Sequence, residues 1–509
     1  MGAAVNALGH VPAHPNALKI HVALDQNANR NPLEFLRLLH ALSGTNPHSI
    51  TPILTGLTHH TVNLHLYPST SPLHQLTRAA LKLDLHAISP TDKTPNPALQ
   101  AFVSFLTNLI SAHADYIEPV FQMIVKRAFT MSAARDCLLS AMHSVVFSAL
   151  HTHPRARSIL LSTVQSSYPH PVRPPAEHLC FARATLRLAK EPHLVSSLLV
   201  TLFERVAAIE ALVPHTVFAN DSRSQLGMEA ERLEVVLLEL CNFFEEGGSV
   251  EAAFSAYQMF IVPMDAVRYS PYALLFGAAV AKDTSTLHDI VERLWQSFHD
   301  PCTPSRLRER FLEHAGSMVL RARCYNSDHV VRWVARLAGW LNAYIDAARG
   351  NDVIDVDIHL SFYTAVAVLL RVMTRRCEAF KDEEVLSNMR LYRIVSSGMN
   401  PFVVLPRALV DSFVETVMNT CGVDYRDVIV ESEGVFPPSR TLYGSKNEFV
   451  YRIVCPDFEL PRLRARLNAH VLWDDKSKAS ENTDNQRCGE AEEQRRLQRE
   501  AIDADVKDD

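Results

Sequence analysis

The 509-residue chain is 47% hydrophobic with only 16 glycines, and its formal charge of −6 is small for that length. The apolar content supplies an extended core, the glycine count disfavours a turn-rich β protein, and the near-neutral balance argues against general nucleic-acid coating. Nine cysteines are scattered without a Cys-x-x-Cys pair, which reads as reduced thiols, mostly in the core, in a reducing compartment.

The first residues, Met1 to Asn6, carry no charged n-region, no signal-peptide core and no Ser/Thr at position 6. The longest apolar run, Tyr272 to Ala281, is too short to span a bilayer, so no membrane association and a soluble intracellular protein are expected. Residues 1–30 are rich in Asn, His, Pro and Ala and are expected to be flexible. A helix is predicted from Pro32 to Leu42. Residues 43–97 alternate short apolar pieces with Pro and Thr and yield no clear helices.

From Ala98 the spacing becomes helical. Phe102, Phe105, Leu106 and Leu109 mark one helix, and Val120, Met123, Ile124 and Ala128 the next. Leu139, Met142, Val146 and Leu150 follow. Leu194, Leu198, Leu202, Val206, Ile209 and Val213 form a long stripe, and Leu233 to Leu240 another that Gly247-Gly248 ends. Further helices fit 287–298, 306–321 and 406–421. Thr303-Pro304 reads as a hydroxyl N-cap followed by proline at the first helical position. Val330, Val334, Leu337, Leu341 and Tyr344 share one face with Arg332 and Arg336 opposite. Gly350-Asn351 is the predicted end of that helix, and Phe362, Val366 and Leu370 begin the next.

Helix pairs recur without a strict period, which predicts an all-α, irregular HEAT-like helical-repeat solenoid. The expected division is 1–97 as an N-terminal region, 98–425 as the solenoid, 426–473 as a C-terminal segment packing on it, and 474–509 as a disordered charged tail. Apolar runs within 425–454 suggest short strands or an extended crossing segment.

No phosphate loop, nucleophile elbow or dinucleotide fingerprint is present, which points to a binding scaffold rather than an enzyme, without cofactor. His59, His60 and His65, like His151 and His153, lack the companions a metal site needs and read as solvated loop residues. Ser140, Ser144 and Ser148 recur every four residues, with Thr152, Ser158, Ser162, Ser166 and Ser167 close behind. They line either a helix–helix contact or a docking surface that phosphorylation would switch off. Arg306, Arg308, Arg310, Arg321, Arg323, Arg332 and Arg336 form a basic zone diluted by Glu309, Glu313 and Asp328. That zone is either a solvated face or a contact for phosphates or an acidic protein.

The run Arg393-Ile394-Val395-Ser396-Ser397-Gly398-Met399-Asn400-Pro401-Phe402, with Leu405-Pro406, resembles a signature of the RNA polymerase I-specific transcription initiation factor family (TIF-IA). Other blocks follow in order: Asp300-Pro301 with Arg306 and Gly316-Ser317, then Val319 to Arg323, similar to a Leu-Ala-Arg-Ala-Lys motif. Trp340-Leu341 with Tyr344 comes next, and then Asp357, His359, Phe362 and Tyr363. The resemblance spans about residues 98–473. It implies a HEAT-like solenoid that binds RNA polymerase I and bridges it to promoter-bound core factor at ribosomal DNA, in the nucleus and nucleolus. It implies a serine-rich polymerase-docking face, for which Ser140, Ser144 and Ser148 are the candidates by region. It also places a DNA or polymerase contact at Arg321 and Arg323, near Arg332 and Arg336. Direct DNA contact and a homodimer are left open, and a general HEAT-type adaptor with another cargo is the rival reading. The acidic loops of the family are short here, at 130–136 and about 214–229.

Overall fold

The computed structural model describes residues 14–28, 31–89, 96–131, 136–213, 223–264, 267–281, 285–348, 358–428 and 460–473. These residues are helical almost throughout and form two compact units that divide at Met264/Asp265.

The first unit contains α1 (Pro15–Ala28), α2 (Leu33–Ser43), α3 (Pro47–His60), α4 (Pro72–Leu81), α5 (Leu85–Ile88), α6 (Pro97–Ala112) and α7 (Ile117–Met123). It continues with α8 (Asp136–Thr152), α9 (Ala156–Ser167), α10 (Pro175–Leu188), α11 (Val195–Glu210), α12 (Arg223–Glu245) and α13 (Val250–Phe260). One row runs α1–α3–α6–α8, and a second runs α2–α4–α7–α9; α10 packs on α12 and α11 on α13. Each helix thus buries one stripe against its row neighbours, which is the logic of a helical repeat.

The segment expected to be flexible contains α1. Its buried residues, Ala17, Ile20 and Ala23, recur every three residues and pack on α3, but they are small and set among His, Asn and Gln, so the stripe is faint in sequence. Residues 43–97 hold α3, α4 and α5 with a 3-10 turn at Thr61–Leu66. Asn46, Ser71 and Asp84 cap the three helices through their side chains.

Two of the histidines read as solvated instead tie one row together. His60 ends α3 and donates through Nε2 to Ala17 O of α1 at 3.0 Å. His113, the C-cap of α6, reaches Thr61 O at 2.6 Å, and His153, after α8, reaches Ile110 O of α6 at 2.7 Å. A carbonyl only accepts, so each ring carries its hydrogen on Nε2. Burial lowers the His60 pKa, consistent with a neutral ring.

Downstream, α7 passes into a π-helical turn at Ile124–Ala128, and Arg127 from that turn donates to Leu81 O and Leu83 O at the end of α4. At the end of α12, Gly247 has φ +88° and Gly248 N donates to Phe243 O at 2.8 Å, closing the helix as its Gly-Gly predicts.

The second unit contains α14 (Ser270–Val280), α15 (Thr286–His299), α16 (Ser305–Arg321), α17 (Ser327–Ala348), α18 (Leu360–Arg375), α19 (Glu383–Met389), α20 (Leu391–Val395), α21 (Pro401–Val404) and α22 (Arg407–Cys421). A short helix, Pro461–Leu467, follows. α16 packs between α15 and α18, and α18 between α16 and α22. α17 buries Val330, Val334, Leu337 and Leu341 as its spacing requires. The predicted cap at 350–351 lies outside the described residues, as do most of the expected strand segment and the whole charged tail. Among the described residues the only β pairing is an isolated bridge, Ala322 to Val471. Pro304 is the N-cap of α16, whereas the Thr303 hydroxyl donates to Asp300 Oδ2 at 2.9 Å.

No helix among the described residues is long and apolar enough to cross a membrane. The thiols are less interior than expected: Cys180 and Cys241 are buried, but Cys137, Cys302 and Cys324 are exposed and Cys377 and Cys421 half-buried.

Candidate docking surfaces

The apolar residues of α8 decide where its serines point. Leu138, Leu139, Met142, Val145, Val146 and Ala149 are buried, and at 3.6 residues per turn Ser140, Ser144 and Ser148 fall on the opposite side. Ser140 and Ser144 are exposed and Ser148 is half-buried. A helix–helix contact is therefore not what Ser140 and Ser144 line. On α9 the same four-residue spacing leaves Ser158, Ser162 and Ser166 exposed.

These hydroxyls already have partners within their own helices. Ser144 donates to Ala141 O at 2.7 Å, Ser158 to Arg155 O at 2.9 Å, Ser162 to Ile159 O at 3.0 Å and Ser166 to Thr163 O at 3.2 Å. An exposed hydroxyl satisfied in this way rotates to a new acceptor at little cost, and its lone pairs remain available to a donor. The two helices carry one carboxylate, Asp136, which Arg187 engages at 2.6 Å, while Arg155 and Arg157 stand exposed at the start of α9. The surface is uncharged along its length with two cations at one end. Every phosphate added there introduces roughly −1.5 to −2 charge.

The arginine zone of the second unit is not one surface. Arg310 and Arg321 are 5% and 2% exposed, because α16 is covered by both α15 and α18. Arg321 lies over the Tyr272 ring at 5.4 Å, Tyr272 stacks on Trp473 at 5.4 Å, and Arg464 covers Trp473 at 5.3 Å. Leu472 N donates to Arg321 O at 2.8 Å and Arg323 N to His470 O at 3.0 Å. The Arg323 guanidinium donates to Val471 O at 3.0 Å. Residues 319–323 thus anchor the returning C-terminal segment, and Arg321 is corrected from a surface contact to a buried strut.

Arg336 is exposed but grips Glu292 with both Nη atoms, at 2.6 and 3.1 Å, and lies 5.0 Å from the Trp295 ring. The guanidinium holds the Glu292 carboxyl below its usual pKa. Arg332 is exposed on the same helix and donates to Asp328 O at 3.3 Å. Of the four candidate arginines, Arg323 and Arg332 are the exposed ones that pair with no carboxylate among the described residues. The structure brings Arg332 and Arg336 onto one face of α17 and takes Arg321 inside.

The family-like blocks serve packing and turns. Gly316 is where α16 meets α18: a Cβ there would lie 2.3 Å from Val368 Cγ1. Tyr344 OH hydrogen-bonds His359 Nδ1 at 3.0 Å, and Tyr363 OH donates to Met399 O at 2.8 Å. Arg393 pairs with Asp346 and reaches Asn342 Oδ1, while Asn342 Nδ2 donates to Met389 O. Asn400 takes φ +46°, a left-handed turn that asparagine tolerates, and Pro401 starts the next helix. None of these groups lines a site with nucleophile, base and oxyanion donors, and no group of three metal-ligating side chains occurs among the described residues.

Buried ionisable groups escaped the sequence reading. Glu313 and His314 are adjacent and buried in α16, with Arg310 and Arg371 near Glu313. Glu309, also buried, accepts from Ser361 Oγ at 2.8 Å. Their charges look surface-like in the sequence because α16 is covered on two sides only in the folded unit.

The family described as RNA polymerase I specific transcription initiation factor RRN3 matches residues 16–234 and 248–433. The mouse RNA polymerase I-specific transcription initiation factor RRN3 is 24% identical over 239 residues, which is 42% of this chain and 36% of the mouse protein. The aligned stretch thus spans about a third of that relative's length. A crystal structure of RNA polymerase I transcription initiation factor Rrn3 superposes with a TM-score of 0.75 at 14% identity, covering 90% of this chain and 98% of that one. The irregular HEAT-like helical-repeat fold is therefore shared with that structure. With its sequence matched over most of its length, this chain belongs to the RNA polymerase I-specific transcription initiation factor RRN3 family.

Proposed function

We propose that this chain binds RNA polymerase I and tethers it to promoter-bound core factor at ribosomal DNA, acting in the nucleus and nucleolus. The observation that carries the reading, given the family, is the hydroxyl face of α8 and α9, whose serines point away from the core. Ser140, Ser144 and Ser148 are the docking residues in this proposal. The mechanism is tethering: holding two partners at once raises the effective concentration of each for the other and needs no chemistry by the factor.

The test is affinity purification of the tagged chain from its own cells with mass spectrometry of bound proteins. Polymerase I subunits enriched over polymerases II and III are the expected result. Another stoichiometric partner set without them would transfer the function to a general adaptor. Within that experiment, Ser144→Asp is expected to weaken polymerase capture about tenfold while Ser144→Ala has little effect, since one fixed charge at a desolvated contact costs on the order of 1–2 kcal/mol. Melting temperatures should match wild type in both variants. Unchanged capture by Ser144→Asp would remove α8 from the interface.

Arg323 and Arg332 are the proposed basic contact to DNA or polymerase. Arg323→Ala with Arg332→Ala should reduce promoter association and flatten its salt dependence by about two counterions. An unaltered salt slope would leave those arginines as solvated residues.

A further inference from the structure

Cys377 and Cys421 are 44 positions apart in sequence and belong to no motif. The fold brings them together. Cys377 opens a 3-10 turn, Cys377–Phe380, that packs on α22, and Cys421 is the last residue of α22. The Cys421 Sγ donates to Phe380 O at 3.2 Å, so that thiol touches the turn itself. In a 3-10 turn residues i and i+3 eclipse, which puts Cys377 on the same edge as Phe380.

Both thiols are half-buried, open enough for a small oxidant, unlike the buried Cys180 and Cys241. Glu378 and Lys381 flank them and pair with each other at 2.5 Å. Burial pushes the Cys421 thiol pKa up, the Cys377 thiol beside it adds to that, and Glu378 does the same against Lys381. The Lys381 ammonium in turn feels both sulfurs. Cys377 is thus near enough to Cys421 to oppose its ionisation, a penalty that disappears when the two sulfurs form one neutral bond.

We propose that Cys377 and Cys421 are an oxidation site that closes into a disulfide and staples the turn after α18 to the end of α22. With hydrogen peroxide as oxidant, one thiolate attacks the O–O bond and becomes a sulfenic acid, releasing hydroxide, which a proton converts to water. The second thiolate then attacks that sulfur, forming the S–S bond and expelling hydroxide, again protonated to water. Two thiols and one peroxide give one disulfide and two waters. The loop so closed contains α19, α20 and α21, with the Arg393 to Phe402 turn at its centre. Reduction by a dithiol reopens it.

The experiment uses the full chain, treated with hydrogen peroxide at low molar excess, alkylated, digested without reductant and mapped by mass spectrometry. The expected result is a linked peptide pair containing Cys377 and Cys421 that disappears on dithiothreitol treatment, with Cys180 and Cys241 still reduced. The oxidised chain should melt several degrees higher in the second unit, because closing the loop restricts the unfolded state. Cys421→Ser should abolish both changes while melting like the reduced wild type. Independent alkylation of both thiols after oxidation, or pairing of Cys377 with a different cysteine, overturns the proposal. So does a linked pair that appears only after the protein is unfolded in urea.

Discussion

Replacing Gly316 with leucine is expected to unfold the second unit. A Cβ at this position would sit 2.3 Å from Val368 Cγ1 and 3.5 Å from its Cβ, at the crossing of α16 and α18. Valine in a helix has essentially one χ1 rotamer, so Val368 cannot swing aside. Two effects oppose each other in Gly316→Ala. Helix propensity favours alanine by about 1 kcal/mol, and overpacking costs about 1–3 kcal/mol. Overpacking wins, and alanine is expected to lose about 1 kcal/mol net. Leucine adds three further carbons against the same neighbour, and a loss above about 3 kcal/mol is expected, a large part of a domain's stability. The four tryptophans, Trp295, Trp333, Trp340 and Trp473, all lie in this unit, so tryptophan fluorescence during urea unfolding reports it alone. Val368→Ala should rescue Gly316→Ala by making the missing space. A leucine variant that unfolds at the wild-type urea concentration would show that the helices do not meet there.

The second large effect is a pH dependence centred on Glu313. Burial pushes its carboxyl from an ordinary 4.5 up to about 8, with Arg310 and Arg371 opposing the rise. Between those values the folded unit keeps a proton that the unfolded chain has released. Stability therefore falls as pH rises through this window, by at most about 1.4 kcal/mol per pH unit, and levels off above pH 8. His314 works the other way: burial lowers it from 6.5 to about 3, so its contribution grows as pH rises to 6.5. The two trends offset each other below pH 6.5, and Glu313 alone remains from there to pH 8. Glu313→Gln, which mimics the protonated acid, is expected to remove the decline. Its advantage over wild type should grow by about 1–2 kcal/mol from pH 6.5 to 8 in urea unfolding followed by tryptophan fluorescence. Parallel stability curves for the two proteins would mean that Glu313 ionises in the folded unit without penalty.

Local chemistry made part of this molecule legible in advance. The three- and four-residue recurrence from Ala98 onward marked helices such as those at 139–150 and 194–213, but it left the side of Ser140 and Ser144 open, which the burial of Leu139, Met142 and Val146 decides. Gly247-Gly248 announced its helix end because a left-handed residue is needed there. By contrast α1 was hidden, since Ala17, Ile20 and Ala23 make too small a stripe to stand out among polar neighbours.

The arginines show where local reading stops. Arg321 and Arg332 have similar sequence surroundings, yet one is 2% exposed and the other is exposed on α17. The difference is made by Val471 and Trp473, roughly 150 residues downstream, which return to cover the end of α16. His60 and His153 likewise find their carbonyls 43 residues away. Periodicity records which side of a helix is apolar, because that depends on spacing within a few turns. It does not record which polar side chains a second element later encloses, because that depends on contacts distant in sequence. The helical class and most helices from Ala98 onward were thus determined by the sequence alone. The burial of Arg321, Glu313 and His314, the close crossing at Gly316 and the meeting of Cys377 with Cys421 were decided only by the tertiary structure.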